Sequence, residues 1–396
     1  MSGEAAPGRS AGPDWPVVGL LGLSLVCLPM TRSGVSACWV ALIALMAWRA
    51  ARHQLRPPRD LVFGIACLLI TWGVSIGGSQ DVRKTVSEWT GVAGMCLSAL
   101  AVGARRDRGP LPRTLEAAWL AGALLLGAWV VLELRLGLHI LSDFPGRLSY
   151  PMIPNPNIAA QYLLVVFAWT FAAALVGVRP ASWWRHLAWG GAALLLACTR
   201  TRGVWPAFAA VVLFSCWRTR RPIMGVVAAG VFVAGNWVLP QSLWDRAVLL
   251  TRLHDVSMLG RLQGWVAALR MFARWPFTGV GLGAWRAVYP LVRLPGSPDV
   301  WYHAHNFYLN LLAETGLLGM LGFAALLWSF RSVWRRGFTA PNVLPEELGM
   351  TAALLGTAIA ALFDVAWTGE PGYAFMVLAA FTLRRESGPA HRPALP

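Results

Sequence analysis

The chain has 396 residues and a formal charge of +16, yet it is 57% hydrophobic and only 13% charged, with 22 tryptophans. A soluble domain carries roughly a quarter charged residues, so the composition excludes that class and leaves an all-α polytopic membrane protein. Lys84 is the only lysine, and the arginines form short clusters between apolar runs. That is the pattern of loop charge, and no nucleic-acid partner is expected.

Residues 1–14 are polar and rich in Gly, Pro and Ala, and read as a disordered cytoplasmic N-terminus. The run from Trp15 has only Arg9 before it and no small-residue cleavage site after it, so it reads as a retained first helix. Apolar runs then predict about twelve spans: 15–31, 34–48, 61–78, 86–103, 115–137, 156–177, 182–198, 203–217, 222–239, 305–330, 347–366 and 370–383. Several are short of the roughly 20 residues that a bilayer requires. The layout is a transmembrane unit 15–239 with helices 1–9, an outer helical segment 240–304, helices 10–12 over 305–383, and a cytoplasmic tail 384–396. Cys27, Cys38, Cys67, Cys96, Cys198 and Cys216 fall in apolar runs without CxxC spacing, as small buried hydrophobes do.

Arginine placement gives the orientation. Arg49–Arg59, Arg105–Arg113, Arg179 and Arg185, Arg218–Arg221, Arg331–Arg336, and Arg384 and Arg385 follow the even-numbered runs. Basic loops stay in the cytoplasm, so both termini are cytoplasmic and 240–304 lies outside. Within that segment, Asp245–Leu253 and Gly260–Phe272 read as helical and Phe277–Gly283 as a glycine-rich turn. Its arginines 246, 252, 261, 270, 274, 286 and 293 outnumber Asp245, Asp255 and Asp299, which suits an anionic ligand, although arginines also snorkel at interfaces. The other polar outer pieces are Gly77–Thr85, Leu138–Asn157 with Asp143 and Arg147, and the tight turn Thr199–Gly203.

The stretch His303–Gly319 is the junction between the outer segment and the tenth run. A histidine at a helix N-terminus is disfavoured as imidazolium, and neutral imidazole can take a proton as a general base. The plainer reading is that His305 only caps the helix. Helical spacing puts Leu309, Leu312, Gly316 and Gly319 on the His305 face and Glu314 on the opposite one, with the glycines opening that face to a neighbouring helix.

This stretch resembles the hallmark of the O-antigen ligase and polymerase superfamily: His, then Asn, Ser or Gln, then nine residues, then Gly-x-x-Gly, filled here by His305, Asn306, Gly316 and Gly319. Thr201-Arg202-Gly203 is similar to the family's Ser-Arg-Gly turn, with Thr replacing Ser. Gly260-Arg261-Leu262-Gln263-Gly264-Trp265 resembles its Gly-Arg-x-x-x-Trp element, Pro276–Gly283 its Pro-x-x-Gly-x-Gly turn, and Asn157 a recurrent Asn before the sixth helix. The detailed resemblance runs over about 199–319.

The resemblance implies a metal-independent, inverting glycosyltransferase with no cofactor. It would move a glycan from undecaprenyl diphosphate to lipid A–core oligosaccharide on the periplasmic face of the bacterial inner membrane. His305 would be the base, and Arg202 and Arg261 would clamp the diphosphate, a role suited to the permanently charged guanidinium fork. Arg200, His303, Asn306, Asn157, Gly316 and Gly319 would support them. Membrane lipids are the remaining partners.

Individual residues keep structural alternatives. Arg200 and Arg135 suit an interface, and Glu314 and Asp364 suit buried polar networks as well as function. Trp265, Trp301 and Tyr302 suit interfacial anchors. Gly279, Gly281 and Gly283 serve the turn or offer amides to phosphate. A polymerase of the same superfamily is the competing function. A protein O-oligosaccharyltransferase commonly has a further C-terminal region, whereas this chain ends about a dozen residues after its last run. A transporter would show internal repeats. The orientation predicts that cysteine labelling finds residue 270 outside and residues 55, 108 and 335 inside; a cytoplasmic residue 270 would remove the orientation and the reaction together.

Overall fold

The computed structural model describes residues 15–28, 32–52, 57–104, 113–141, 146–151, 153, 155–176, 183–238, 256–297, 302–365, 367 and 369–383. The expectations for 1–14, Asp245–Leu253, Asp143, Asp255, Asp299, Trp301 and 384–396 lie outside them. The described residues form fifteen α-helices and no strand. They are α1 (Trp15–Cys27), α2 (Arg32–Ala51), α3 (Arg59–Gly77), α4 (Val82–Gly103), α5 (Arg113–Leu136), α6 (Pro156–Val176), α7 (Trp183–Cys198), α8 (Trp205–Thr219), α9 (Pro222–Gly235), α10 (Val256–Arg274), α11 (Trp285–Val292), α12 (Phe307–Ser329), α13 (Arg331–Thr339), α14 (Pro345–Ala360) and α15 (Gly369–Leu383). A single 3-10 turn, Arg202–Val204, leads into α8.

Each of the twelve apolar runs contains a helix. Five helices are long and apolar enough to cross a membrane: α3, α4, the Trp119–Leu136 part of α5, α6 and α12. Four shorter apolar helices accompany them, Pro16–Cys27, Val35–Ala51, Pro222–Gly235 and Pro371–Leu383. The described residues are all-helical, with five candidate spans, as in a polytopic membrane protein. Helices suit that setting because they satisfy their backbone groups internally, where lipid offers no partners.

The bundle is built around α6. Its apolar window is 94% buried, against 33% for α3. It is apolar on every side, as an enclosed helix must be. Phe167 stacks on Phe171 and meets Phe208, which stacks on Phe232. The Trp119 indole donates to the Tyr162 hydroxyl at 2.8 Å.

Helix α12 lies along α3 through small residues. A side chain at Gly322 would meet Thr71 and the Cys67 carbonyl, and one at Gly64 would meet Ser329. Such contacts let helix backbones approach closely. Both ends of the bundle carry arginines, in different settings. At one end Arg331 pairs with Asp60 (2.9 Å), Arg336 pairs with Glu347 (2.9 Å), and Arg218 donates to the carbonyls of Gly337 and Ala340. At the other end gather the polar turns described below. All six thiols are free, four of them buried.

One expectation needs correction. The stretch from His305 to Gly319 is not one helix. The helix starts at Phe307 and is broken at Gly316, where φ is 63° and ψ −164°. His305, Gly316 and Gly319 therefore do not lie on one face of a continuous helix. The break leaves carbonyls and amides without helical partners, and the glycine-rich turn Pro276–Gly283 supplies them. The Val280 and Gly281 N–H groups donate to the carbonyls of Ala313 (3.0 Å) and Glu314 (2.9 Å). The Leu317 and Leu318 N–H groups donate to Pro276 (2.9 Å) and Phe277 (3.2 Å).

The contact is so close that a Cβ at Gly279 would strike the Glu314 and Thr315 backbone, and one at Gly316 the Phe277 and Thr278 backbone. Both glycines also have positive φ, which other residues adopt at a cost of about 1–3 kcal/mol. The Gly281 amide is thus taken up by Glu314, and the Gly279 amide by the Trp275 carbonyl at 3.0 Å; neither is offered to a phosphate.

Gly279→Ala should therefore lower the thermal unfolding midpoint in detergent. Gly230→Ala in α9, where no atom lies within 4 Å of the added methyl, should leave it unchanged or raise it. The reverse order would remove the interlocking role from the turn.

Candidate functional site

The polar end of the bundle is organised where the start of α12 meets the end of α14. The Phe307 N–H donates to the Ala361 carbonyl at 2.8 Å, and the Tyr308 hydroxyl to the Ala358 carbonyl at 3.0 Å. Asn306 is the N-cap of α12, its side chain accepting from the Leu309 N–H at 3.1 Å. Capping is thus the work of Asn306. His305 lies outside the helix in the left-handed region, at φ 50°, a conformation uncommon for non-glycine residues and one that must be held by its surroundings.

Asp364 sits opposite. The span expected to run to residue 366 ends at Ala360, and the following turn brings the carboxylate beside both histidines. Its Oδ1 is 3.5 Å from His305 Nδ1 and 3.7 Å from His303 Nδ1. The Val365 N–H donates to Oδ1, and Asn157 Nδ2 to Oδ2, each at 2.9 Å. Burial alone would raise the Asp364 pKa. The hydrogen bond from His305 and the charge of both imidazoles outweigh it and hold the carboxyl at about 2.

His303 behaves differently. Its Nδ1 accepts the His305 backbone N–H at 3.2 Å, which requires that nitrogen to be unprotonated. Burial lowers its pKa to about 4, with Arg261 and His305 adding to the effect and Asp364 opposing it. His303 is therefore neutral at pH 7, and Asp364 is an anion aimed at Nδ1 of His305. A proton on Nδ1 leaves Nε2 of the same ring as the basic nitrogen, facing away from the carboxylate.

The arginines enter from three elements. Arg261, in the first half of α10, lies close enough to His303 to act on its charge. Arg202 begins the 3-10 turn, and the neighbouring Gly203 packs on the Cβ of Phe363, next to Asp364. Arg200 is 3% exposed with φ 51°, so it is buried and not interfacial. A methyl at Gly146 would lie 3.7 Å from its guanidinium.

The structure therefore brings His303, His305, Asn157 and Arg261 to one place, with the Arg202 turn packed beside it. Gly316 and Gly319 lie further along α12 at the helix break. Two residues were missed as members. Asp364 was absorbed into a span drawn too long; the polar interruption Phe363–Gly369 between two apolar runs was the available signal. Arg147 carried no motif.

His303, His305 and Asp364 are also the one group of described residues spaced to hold a metal ion. Against that use, His303 Nδ1 already accepts a backbone N–H, and the Arg261 charge nearby opposes a dication. Against the first turns of α12 lies a cavity of about 220 Å³, lined in part by Trp39, Trp72, Glu88, Asn310 and Glu314. Glu314 accepts from the Gly283 and Trp285 amides and from Asn310. Two carboxylates make this cavity a poor seat for a diphosphate.

A family model described as O-antigen ligase matches residues 186–324. The matched region takes in Arg202, Arg261, the glycine-rich turn, His303, His305, Gly316 and Gly319, and leaves Arg147, Asn157 and Asp364 outside. No curated protein matches the chain. With the apolar helices, the match points to a bacterial membrane protein of glycosyltransferase-like chemistry acting on polysaccharide or lipid-linked substrates.

The His303 environment predicts a pH dependence. Its folded pKa of about 4 lies below the ordinary 6.5, so between these values the unfolded chain binds more protons and stability falls as pH falls. Asp364 adds stability above 3.8 that is lost as pH falls through about 2. The unfolding midpoint of the wild type should drop from pH 6.5 to 4, and His303→Gln should flatten that slope; equal slopes in both proteins would assign it to other groups.

Proposed function

We propose, from the match of residues 186–324 to the O-antigen ligase family model, that this protein transfers a glycan from undecaprenyl diphosphate to lipid A–core oligosaccharide. The transfer occurs at the periplasmic face of the bacterial inner membrane, with 15–239 and 305–383 as the transmembrane parts and 240–304 as the periplasmic segment. The observation that carries the reading is the pairing of Asp364 with His305, 3.5 Å apart, beside the arginine-bearing α10 and Thr199–Val204 turn.

In this reading the acceptor hydroxyl gives its proton to Nε2 of His305, while Asp364 holds the ring and balances the imidazolium that forms. The hydroxyl oxygen bonds to the anomeric carbon as the bond from that carbon to the diphosphate oxygen breaks. The electron pair leaves with undecaprenyl diphosphate. Arg202 and Arg261 hold the diphosphate and offset the charge growing on it, which a guanidinium fork does bidentately and without titrating. A single displacement inverts the anomeric centre. His303, neutral and hydrogen-bonded to the His305 backbone, fixes the loop, and Arg200 adds positive potential to the same turn. No step calls for a metal.

The test is reconstitution of the purified protein with lipid-linked glycan, with and without lipid A–core. Glycan-capped lipid A–core with unchanged donor glycan length is expected. Longer lipid-linked glycans formed without lipid A–core would reassign the protein as a polymerase. His305→Ala should reduce transfer by roughly 10²–10⁴-fold, the range for a general base, with expression and folding intact. Arg202→Lys and Arg261→Lys should recover little, and exhaustive chelation should leave transfer unchanged. Near-normal transfer by folded His305→Ala would remove the base assignment.

A further inference from the structure

Four arginines approach the His305 end of the bundle, at positions 147, 200, 202 and 261. The guanidinium of Arg147 is turned onto the protein itself. Its Nε donates to the Thr199 carbonyl at 3.0 Å. Its Nη2 donates to Asn157 Oδ1 and to Thr201 Oγ1, each at 3.0 Å. The Thr201 hydroxyl also lies 3.2 Å from the Pro156 carbonyl and 3.3 Å from Asn157 Oδ1. One guanidinium therefore joins the segment before α6, the first turn of α6 and the turn that carries Arg202.

We propose that Arg147 is a positioning residue for the transfer reaction and not a ligand of the diphosphate. It sets the amide of Asn157, and through it Asp364 and His305, while clasping the Arg202 turn. The inference rests on the reading of His305 as the base.

The amide gives the inference its direction. Asn157 has one accepting end and one donating end. With Oδ1 against the Arg147 guanidinium, Nδ2 must face Asp364, and it does so at 2.9 Å from Oδ2. Without the guanidinium only the longer 3.3 Å hydrogen bond from the Thr201 hydroxyl, itself held by Arg147, selects this orientation over its flip. A flipped amide would turn Oδ1 on the Asp364 anion and push the carboxylate out of register with His305. Asp364 is 6% exposed, so it has little water to turn to instead. Loss of Arg147 thus acts on His305 through two intermediates, without touching substrate.

The test is a double-mutant cycle on transfer by the full-length protein. Arg147→Ala and Asn157→Ala should each lower kcat, on the order of 10²-fold as for a misplaced catalytic group. The double variant should be no worse than the weaker single, because both act along one chain of contacts. Arg147→Ala combined with Arg261→Ala should instead multiply. Both single variants should move the acid limb of the kcat/KM pH profile by the same amount, which a merely structural lesion would not do. Arg147→Lys should not restore activity, since an ammonium cannot hold Thr199, Asn157 and Thr201 in one plane. Running the cycle also with Arg147→Lys guards against an Ala variant that fails to fold.

Multiplicative loss with Asn157→Ala, an unmoved acid limb, or recovery of donor KM in Arg147→Lys would overturn the proposal. The last result would make Arg147 a phosphate ligand. If His305→Ala keeps full activity the base reading falls; if it is inactive while Arg147 and Asn157 behave independently, only the positioning role falls.

Discussion

A helix broken inside an apolar bundle must find partners for the backbone groups it releases, and this constraint governs the arrangement of the molecule. Unpaired groups there cost several kcal/mol each. The Pro276–Gly283 turn meets the requirement with hydrogen bonds to both sides of the Gly316 break. The same turn joins α10 to α11, so the fixed register between turn and helix also fixes α10, and with it Arg261, relative to His303 and His305. Two sequence elements far apart in the chain are thus one structural unit. Their glycines are required by the close approach of two backbones.

The second organising feature is electrostatic. A site surrounded by arginines would by itself favour neutral histidines, and His303 is neutral. Asp364 supplies one negative charge among these cations, placed against Nδ1 of His305. That carboxylate lets two histidines two residues apart differ: one is a hydrogen-bond acceptor for backbone, the other is oriented by an anion.

The helical class and the place of the helices were legible because hydrophobic runs report directly on burial and lipid exposure. The Thr201–Gly203 turn, Arg261 and His305 stood out in the sequence because each carries a residue type suited to phosphate or proton chemistry in a distinctive local pattern, and the structure sets them near one end of the bundle. The continuity of α12 was misread because Gly316 sits in an otherwise regular apolar period; periodicity sees side chains, whereas the break is a matter of backbone partners from Pro276–Gly283. Asp364 stood out as an acid in an apolar run, but its place beside His305 was hidden because the run reads as one helix until the helix is seen to stop at Ala360. Arg147 was illegible for another reason: its role depends wholly on which carbonyl, amide and hydroxyl lie around it, and no spacing encodes that.

The enclosure of α6 has a consequence for how the chain can vary over evolutionary time. On α3 the outward Phe63 and Ile70 are 61% and 67% exposed, so any residue oily enough for lipid can replace them and drift there should be nearly free. Residues 159–175 of α6 have no such face. Each touches other side chains, and an added or lost methylene is felt by a neighbour. Substitutions on α6 should therefore arrive in compensating pairs, with Phe167, Phe171 and Phe208 changing together or not at all. A stretch this apolar looks replaceable, yet its enclosure leaves it little room to diverge.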